Sequence, residues 1–380
     1  MIKDRGGEFM NPYESIQLPN VINAAGKMTY LGSSAVLPEV ARTMSESARS
    51  FVDMAQLKAT VQRKIAAMVE AEAACVTSCA AAGIVVSVAA ALTGTDLDKV
   101  EALPLIKGGK REVILQKGHA VSFGANLTQM IRMTGAEVKE IGTVNGVKPY
   151  HLKGAINEAT AAIVYVVSHH AVSSEMLSLR EVTDIAALHG IPVIVDAAAE
   201  VDLQLYLAQG ATAVIYSGHK AIGGPTSGLI IGSKPFMEAC WLQEKGYARA
   251  MKIGKENIMG LYASLEAYMR LDQQSLTESY ANIVDVLQRE VTGIPGLSTR
   301  TAWDATRPIP RLQLIVGDEA GLTAKQLIGL LEQGTPSIRT RNHLADEGII
   351  QFDPRELRLE EIGQIGTMLR SILDKRKQEA

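Results

Sequence analysis

Between residues 60 and 250 the chain alternates short, continuously apolar runs with stretches of helical periodicity, and this alternation restricts its possible folds more than any other feature. Runs such as Ala162-Ile163-Val164-Tyr165-Val166-Val167 and Ile191-Pro192-Val193-Ile194-Val195 have no polar face, so a strand made from either must be covered on both sides. Sheets covered on both faces are mostly parallel, with crossover helices supplying the cover. The pattern predicts helices at 59–70, 80–92, 179–189 and 201–209, with a polar amphipathic stretch at 124–134. It predicts strands at 74–77, 112–116, 137–141, 162–168, 191–196, 213–217 and 229–232. Beyond about residue 255 it changes to long amphipathic helices, 261–271 and 276–291, followed by strands at 311–316 and 348–352. The expected organisation is an N-terminal segment 10–59 contributing to a small domain or an interface, a large α/β domain 60–250, and a small α+β domain 251–380.

With 47% hydrophobic and 21% charged residues, the 380-residue chain has the apolar content of a folded protein large enough for two lobes. Its net charge of -3 offers no broad cationic face to a polyanion, so no nucleic-acid partner is expected. Cys75, Cys79 and Cys240 cannot all pair and lack metal-ligand spacing, which points to a reducing, cytoplasmic setting and to no metal site. The longest apolar run, 80–92, contains Gly83 and Ser87 and is shorter than the roughly 20 residues of a bilayer span, so no membrane partner is expected. The opening residues 1–9 are polar and Gly-rich; they read as an added leader, with Met10 as the natural start.

The chemistry gathers in Tyr216-Ser217-Gly218-His219-Lys220-Ala221-Ile222-Gly223-Gly224-Pro225-Thr226-Ser227-Gly228. Here a buried strand delivers a lysine into a loop of glycines and hydroxyls, where backbone N–H groups can surround a phosphate. Desolvation in such a place depresses a lysine pKa and favours Schiff-base chemistry, although a simple turn lysine also fits the segment. The preceding strand ends in Asp196, followed by Ala197-Ala198-Ala199. An acid at the end of one parallel strand and a lysine just past the next both point into the crevice where open α/β sheets bind ligands. Pyridoxal phosphate needs this pair: its aldehyde takes the amine, and its ring nitrogen needs a carboxylate to stay protonated as an electron sink. Asp196 read alone could be a helix N-cap. Thr77-Ser78-Cys79 opens the apolar helix, whose N-terminus suits a phosphate, though an N-cap Ser78 explains the same residues.

These segments resemble fold-type I (aspartate aminotransferase-like) pyridoxal-phosphate enzymes, and more narrowly the bacterial selenocysteine synthase-like group. The group's opening Val-Ile-Asn-Ala-x-Gly stands here as Val21-Ile22-Asn23-Ala24-Ala25-Gly26, followed by Leu31-Gly32. Its Ser-Gly-Asp-Lys-x-x-Gly-Gly-Pro is Ser217 to Pro225 with His219 in place of Asp, and its Gly-Thr-Pro with a following arginine is Gly334-Thr335-Pro336 and Arg341. The similarity covers nearly all of the chain after residue 20. Ser33 stands where the tRNA-dependent members have arginine, and their additional N-terminal tRNA-binding region is not seen. The expectation is therefore the metabolic branch, an ammonia-lyase of a phosphorylated amino sugar acid. A selenium-transferase, aminotransferase or aldolase reaction is the alternative.

The resemblance implies roles for individual residues. Lys220 and Asp196 act on the cofactor, His119 stacks on its ring, and Ser168, His169 or His170 contacts its phenolic oxygen or the substrate. Ser78, Cys79, Ser217 and His219 hold its phosphate, with Thr226 in the loop that reaches the neighbouring subunit's phosphate site. Arg341 clamps the substrate carboxylate, and Lys27 and Arg339 answer a second anionic group. Lys220, His169 or His170 supplies the proton to the leaving hydroxyl. The group's architecture also implies a homo-oligomer, at least a dimer.

Overall fold

The computed structural model describes residues 12–105, 108–168, 170–304 and 307–379; the segment 1–9, expected to be a leader, Met10 and His169 lie outside the described residues. In chain order the strands are β1 (Val21–Asn23), β2 (Ala73–Thr77), β3 (Glu112–Gln116), β4 (Glu137–Ile141), β5 (Thr160–Val166) and β6 (Val193–Asp196). They continue with β7 (Ala213–Ser217), β8 (Gly228–Gly232), β9 (Leu297–Trp303), β10 (Pro310–Val316), β11 (Ser337–Arg339) and β12 (Ile349–Phe352). Two compact units form, one of Val36–Arg270 and one of the N-terminal part to Ala35 with Leu271–Ala380.

In the larger unit a seven-stranded sheet runs β2-β8-β7-β6-β5-β3-β4. The pairs from β7 through β6, β5 and β3 to β4 are parallel. β8 runs antiparallel to both its neighbours. Successive residues of the buried strands serve opposite faces, as the period of two requires. Val193 and Val195 join one apolar cluster with Ile65, Val182 and Leu261, whereas Ile194 joins another with Ile84, Ile131 and Met237. Each cluster is a row of helices laid on one face of the sheet. β4 carries Glu137, Lys139 and Glu140, whose ion pairs with Arg111, Glu112 and Lys117 line that edge with charge.

The smaller unit is built on the antiparallel order β12-β10-β9, with β1 and β11 paired in parallel beside it as a separate two-stranded sheet. Helices Gln273–Val291, Ala324–Gln333 and Leu359–Glu379 cover its core through Leu287, Leu331 and Leu369. The contact division falls after Ala35 and after Arg270, where the sequence placed boundaries near 60 and 250. Helix Pro38–Arg49 packs against helix Lys255–Tyr268, and Ile258, Leu261 and Leu265 of the latter enter the cluster of Val61 and Ile65. Both helices therefore belong to the larger unit, and the segment 10–59 is divided between the two.

Candidate active site

The residues expected to carry the chemistry of the larger unit lie along the carboxyl ends of its strands. The registers Thr77↔Gly228 and Ser217↔Gly228 bring the ends of β2 and β7 level across the start of β8. Gly228 must lack a side chain: a Cβ there would stand 2.3 Å from the Cys79 carbonyl oxygen and 2.3 Å from Thr77 Oγ1. This close approach sets the Ser78-Cys79 turn against the lysine loop. Cys79, not Ser78, caps helix Ala80–Thr93, its Sγ accepting the Ala82 N–H at 3.3 Å. The Ser78 and Ser217 hydroxyls make no hydrogen bond among the described residues, and the first N–H groups of a helix have no intrahelical acceptor. Unclaimed donors beside a positive helix end form a corner suited to a phosphate.

Lys220 follows β7 in a loop closed on itself. Gly218 N–H donates to Ser227 O at 2.8 Å, Gly224 N–H to Gly218 O at 2.7 Å, and Gly223 N–H to Lys220 O at 3.1 Å. His219 and Lys220 are half-buried, and Thr226 is exposed while its carbonyl accepts the Asn257 amide at 2.9 Å. Asp196, at the end of β6, is 7% exposed, and its Oδ1 accepts the Ala198 N–H at 3.2 Å. Burial raises its pKa to about 6, opposed by the Ala198 N–H and by the charge of Lys220. The acid and the lysine therefore sense each other's charge. A protonated ring nitrogen beside Asp196 would supply the compensation that this buried carboxyl lacks, so the site fits pyridoxal phosphate.

His119 has no exposed surface and meets Tyr165 edge to face, with centroids 4.5 Å apart. β3 has ended by this point, and the ring takes over the next strand's backbone: Nδ1 accepts the Val166 N–H at 3.1 Å. The proton must therefore sit on Nε2, which has no partner, and burial lowers the pKa to about 4. The ring is thus neutral and buried, with an Nε2–H that has no partner among the described residues. Ser168 Oγ accepts the His170 N–H at 3.2 Å, and the His170 residue is exposed.

The smaller unit gathers the basic residues around Asp353, which is wholly buried. Arg355 grips both carboxylate oxygens at 2.8 and 2.9 Å, Arg311 Nε reaches Oδ2 at 2.9 Å, and Arg341 Nη1 stands 3.9 Å away. Arg311 also pairs with Asp304 at 2.8 Å. Gly26, at φ +80°, lies on this cluster, and a Cβ there would come within 2.7 Å of Asp353 Cγ. Burial opposes ionisation of Asp353, but the hydrogen bonds and charges of Arg355 and Arg311 outweigh it and hold the carboxyl below its ordinary range. Arg341 is the least neutralised member: its Nε is buried without a partner, and burial with the nearby Arg311 charge lowers its pKa. Lys27 and Arg339, expected to be available for a second anion, are each answered internally, by Glu356 at 3.8 Å and Glu332 at 3.2 Å.

Asp353, Arg311, Arg355 and Glu356 were not signalled by the sequence reading. The usable clue was local: an acid immediately after the apolar strand β12, followed by Pro354-Arg355.

The sequence profile of L-seryl-tRNA selenium transferases matches residues 21–295. The chain is 40% identical over 366 residues to D-glucosaminate-6-phosphate ammonia lyase of Salmonella typhimurium, covering 96% of this chain and 98% of that one. It is 39% identical over 357 residues to 5'-C-glycyluridine monooxygenase-decarboxylase of a Streptomyces species, covering 93% and 90%. A solved structure of D-glucosaminate-6-phosphate ammonia-lyase superposes with a TM-score of 0.91 at 38% identity, over 97% of this chain and 100% of that one. Serine palmitoyltransferase of Sphingomonas wittichii, with a TM-score of 0.55 at 15% identity and coverage of 95% and 88%, shares the fold. The architecture is that of fold-type I pyridoxal-phosphate enzymes, and the chain belongs to the L-seryl-tRNA selenium transferase family.

Proposed function

We propose that this protein is a pyridoxal-phosphate-dependent ammonia-lyase that converts D-glucosaminate 6-phosphate to 2-keto-3-deoxygluconate 6-phosphate and ammonia. The observation that carries this reading is the placement of the buried Asp196 and the loop-borne Lys220 on adjacent strands, electrostatically coupled, in a chain alike over nearly its whole length to a lyase of that name. When bound, the cofactor supplies an electron sink for the pair left at C2 of the substrate. Lys220 Nζ takes the C2 proton, and Asp196 keeps the proton on the ring nitrogen. The 3-hydroxyl leaves as water after protonation by Lys220, His169 or His170. The released enamine tautomerises, takes up water and yields the keto acid and ammonia. Ser78, Ser217, Cys79 and His219 hold the cofactor's phosphate, with Thr226 serving the neighbouring subunit. His119, its ring held by the Val166 N–H, stacks on the cofactor ring.

Arg341 suits the substrate carboxylate because its charge is the one left incompletely answered in the Asp353 cluster. Lys27 and Arg339 serve the substrate phosphate only if that anion displaces Glu356 and Glu332. A homo-oligomer accords with the group's architecture, and the exposed Phe51 and Val52 are apolar side chains available to a neighbouring subunit. Buried free thiols at Cys75 and Cys240 support a cytoplasmic setting, and no helix among the described residues is long and apolar enough to cross a membrane.

A second reading, oxygen-dependent decarboxylation, is favoured by the near-equal identity to the Streptomyces relative. Incubation with D-glucosaminate 6-phosphate under air and under argon distinguishes the two. Equal release of ammonia and keto acid in both atmospheres is expected. Carbon dioxide release that tracks oxygen consumption would replace the lyase reading, and preferred turnover of serine or seryl-tRNA would favour the other rivals. Arg341→Ala should weaken turnover mainly through KM, because that contact exists in ground and transition states alike.

A further inference from the structure

The stretch between Asp196 and the short helix Leu205–Ala208 is held from below by two buried phenols that the proposed reaction does not use. Tyr268 Oη donates to Val201 O at 2.6 Å, and Tyr216 Oη donates to Asp202 O at 2.8 Å. The rings are 9% and 1% exposed and lie in the same apolar cluster as Val195 and Val214. The loop they hold has an exposed crest, with Val201 46% accessible, while Leu203 beyond it is buried in the same cluster. Its further ties include Ala197 N–H to Ile215 O at 3.0 Å, Glu200 N–H to Ala197 O at 3.0 Å, Ser217 N–H to Ala198 O at 3.1 Å, and Gln204 and Leu205 N–H to Asp202 Oδ1 at 2.8 Å. The same loop provides Ala198 N–H, which fixes the Asp196 carboxylate.

We infer that Tyr216 and Tyr268 are positioning residues for Asp196. Two hydroxyls from different elements, a strand and a helix, grip adjacent carbonyls and so set both the height and the tilt of the loop. Tyr216 has a second consequence. It immediately precedes Ser217 and the lysine loop on β7, so its hydroxyl ties the strand that delivers Lys220 to the loop that aims Asp196. Glu200 and Tyr206, whose side chains meet at 3.4 Å, and Asp202 face the same phenol and are the polar groups that a rearranged loop would move. Phenylalanine at either position keeps the ring packing and removes only the grip.

The inference rests on the assignment of Asp196 to the ring nitrogen of the cofactor. Its test compares Tyr216→Phe, Tyr268→Phe and the double variant with Tyr247→Phe, whose hydroxyl donates to Met133 O elsewhere in the same unit. Amide hydrogen exchange across residues 197–204 is measured in the cofactor-free proteins. In the loaded proteins the readouts are kcat, KM and the pH midpoint of the visible chromophore. In the double variant exchange should quicken, kcat should fall about tenfold with KM unchanged, and the midpoint should move by roughly half a pH unit, with the single variants between. Tyr247→Phe should match the wild type. Unchanged exchange and midpoint in the double variant would overturn the inference, as would equal changes in Tyr247→Phe. A wild-type protein that forms no borohydride-reducible chromophore would instead remove the cofactor reading, and exchange in the cofactor-free protein would still decide whether the tyrosines hold the loop.

Discussion

Replacing Asp353 by asparagine removes one negative charge on which two arginines depend directly. Arg355 and Arg311 have side chains only 12% and 10% exposed, so water cannot take over the role of the carboxylate. Removing one partner from such a buried pair costs about 3–5 kcal/mol, because the remaining cations are desolvated without compensation. Asparagine still accepts hydrogen bonds, and Arg311 keeps Asp304, which places the expected loss near the low end, roughly 3 kcal/mol. The pH dependence has a definite sign. The folded carboxyl titrates below its ordinary range, so its stabilisation is complete above the unfolded pKa, about 3.9, and disappears as the pH falls through the lower folded value. The two tryptophans permit a direct assay: Trp241 belongs to the larger unit and Trp303 to the smaller. In a Trp241→Phe background, urea unfolding followed by Trp303 emission reports the smaller unit. The stability gap between proteins with and without the Asp353→Asn substitution should be roughly 3 kcal/mol at pH 7 and should close on acidification below about pH 4. A gap under about 1 kcal/mol at pH 7, or one that widens in acid, would refute the argument.

Three further outcomes follow from the site. Lys220→Ala should abolish the visible, borohydride-reducible chromophore; a variant that still forms a reducible adduct at another lysine would move the assignment. Asp196→Asn should retain cofactor but lose turnover by several orders of magnitude, roughly 4 kcal/mol or more of barrier, and near-normal turnover would make the acid a purely structural group. Light scattering of the active protein should give at least twice the 40.7 kDa chain mass, and an active particle of one chain mass would exclude the oligomer.

Most of the larger unit was readable because its inner strands are buried on both faces. β4, at the sheet edge with exposed Glu137 and Glu140, was marked instead by its alternation of valine and isoleucine with charged residues. β3 and β7 fall where their apolar runs placed them because they are covered along nearly their whole length. β9 escaped notice for the opposite reason: Leu297–Trp303 is half to fully exposed along its length and mixes Ser298, Thr299 and Arg300 among its apolar residues. Helix Pro38–Arg49 buries only Val40 and so had little apolar periodicity to detect. In the site, Lys220 and Asp196 carried local signatures, a strand end followed by small residues or glycines. The Asp353 cluster carried almost none, because Arg311, Arg341 and Arg355 reach it from separate points in the chain and only pairing, not spacing, unites them. His119 could be located after β3, but its tautomer and enclosure depend on a hydrogen bond to Val166 in another strand.

The antiparallel placement of β8 has a consequence for the order in which the protein can be made. β2 is an end strand whose sheet neighbour is β8, so Ala73–Thr77 leaves the ribosome long before the strand it must join. Roughly 150 residues separate them, on the order of ten to thirty seconds at a synthesis rate of about 5–20 residues per second. During that time the parallel strands β3 to β7 can assemble, while β2 and the apolar helix Ala80–Thr93 lack the strand that completes their side of the sheet. The corner formed by Thr77, Ser217 and Gly228 closes only when Gly228–Gly232 slots between two strands already present. Nascent chains halted before residue 228 should accordingly be cut by protease within 73–93, and chains extended past the helix Lys255–Tyr268 should resist, so that for this fold the earliest-made part of the cofactor corner is the part that waits longest exposed.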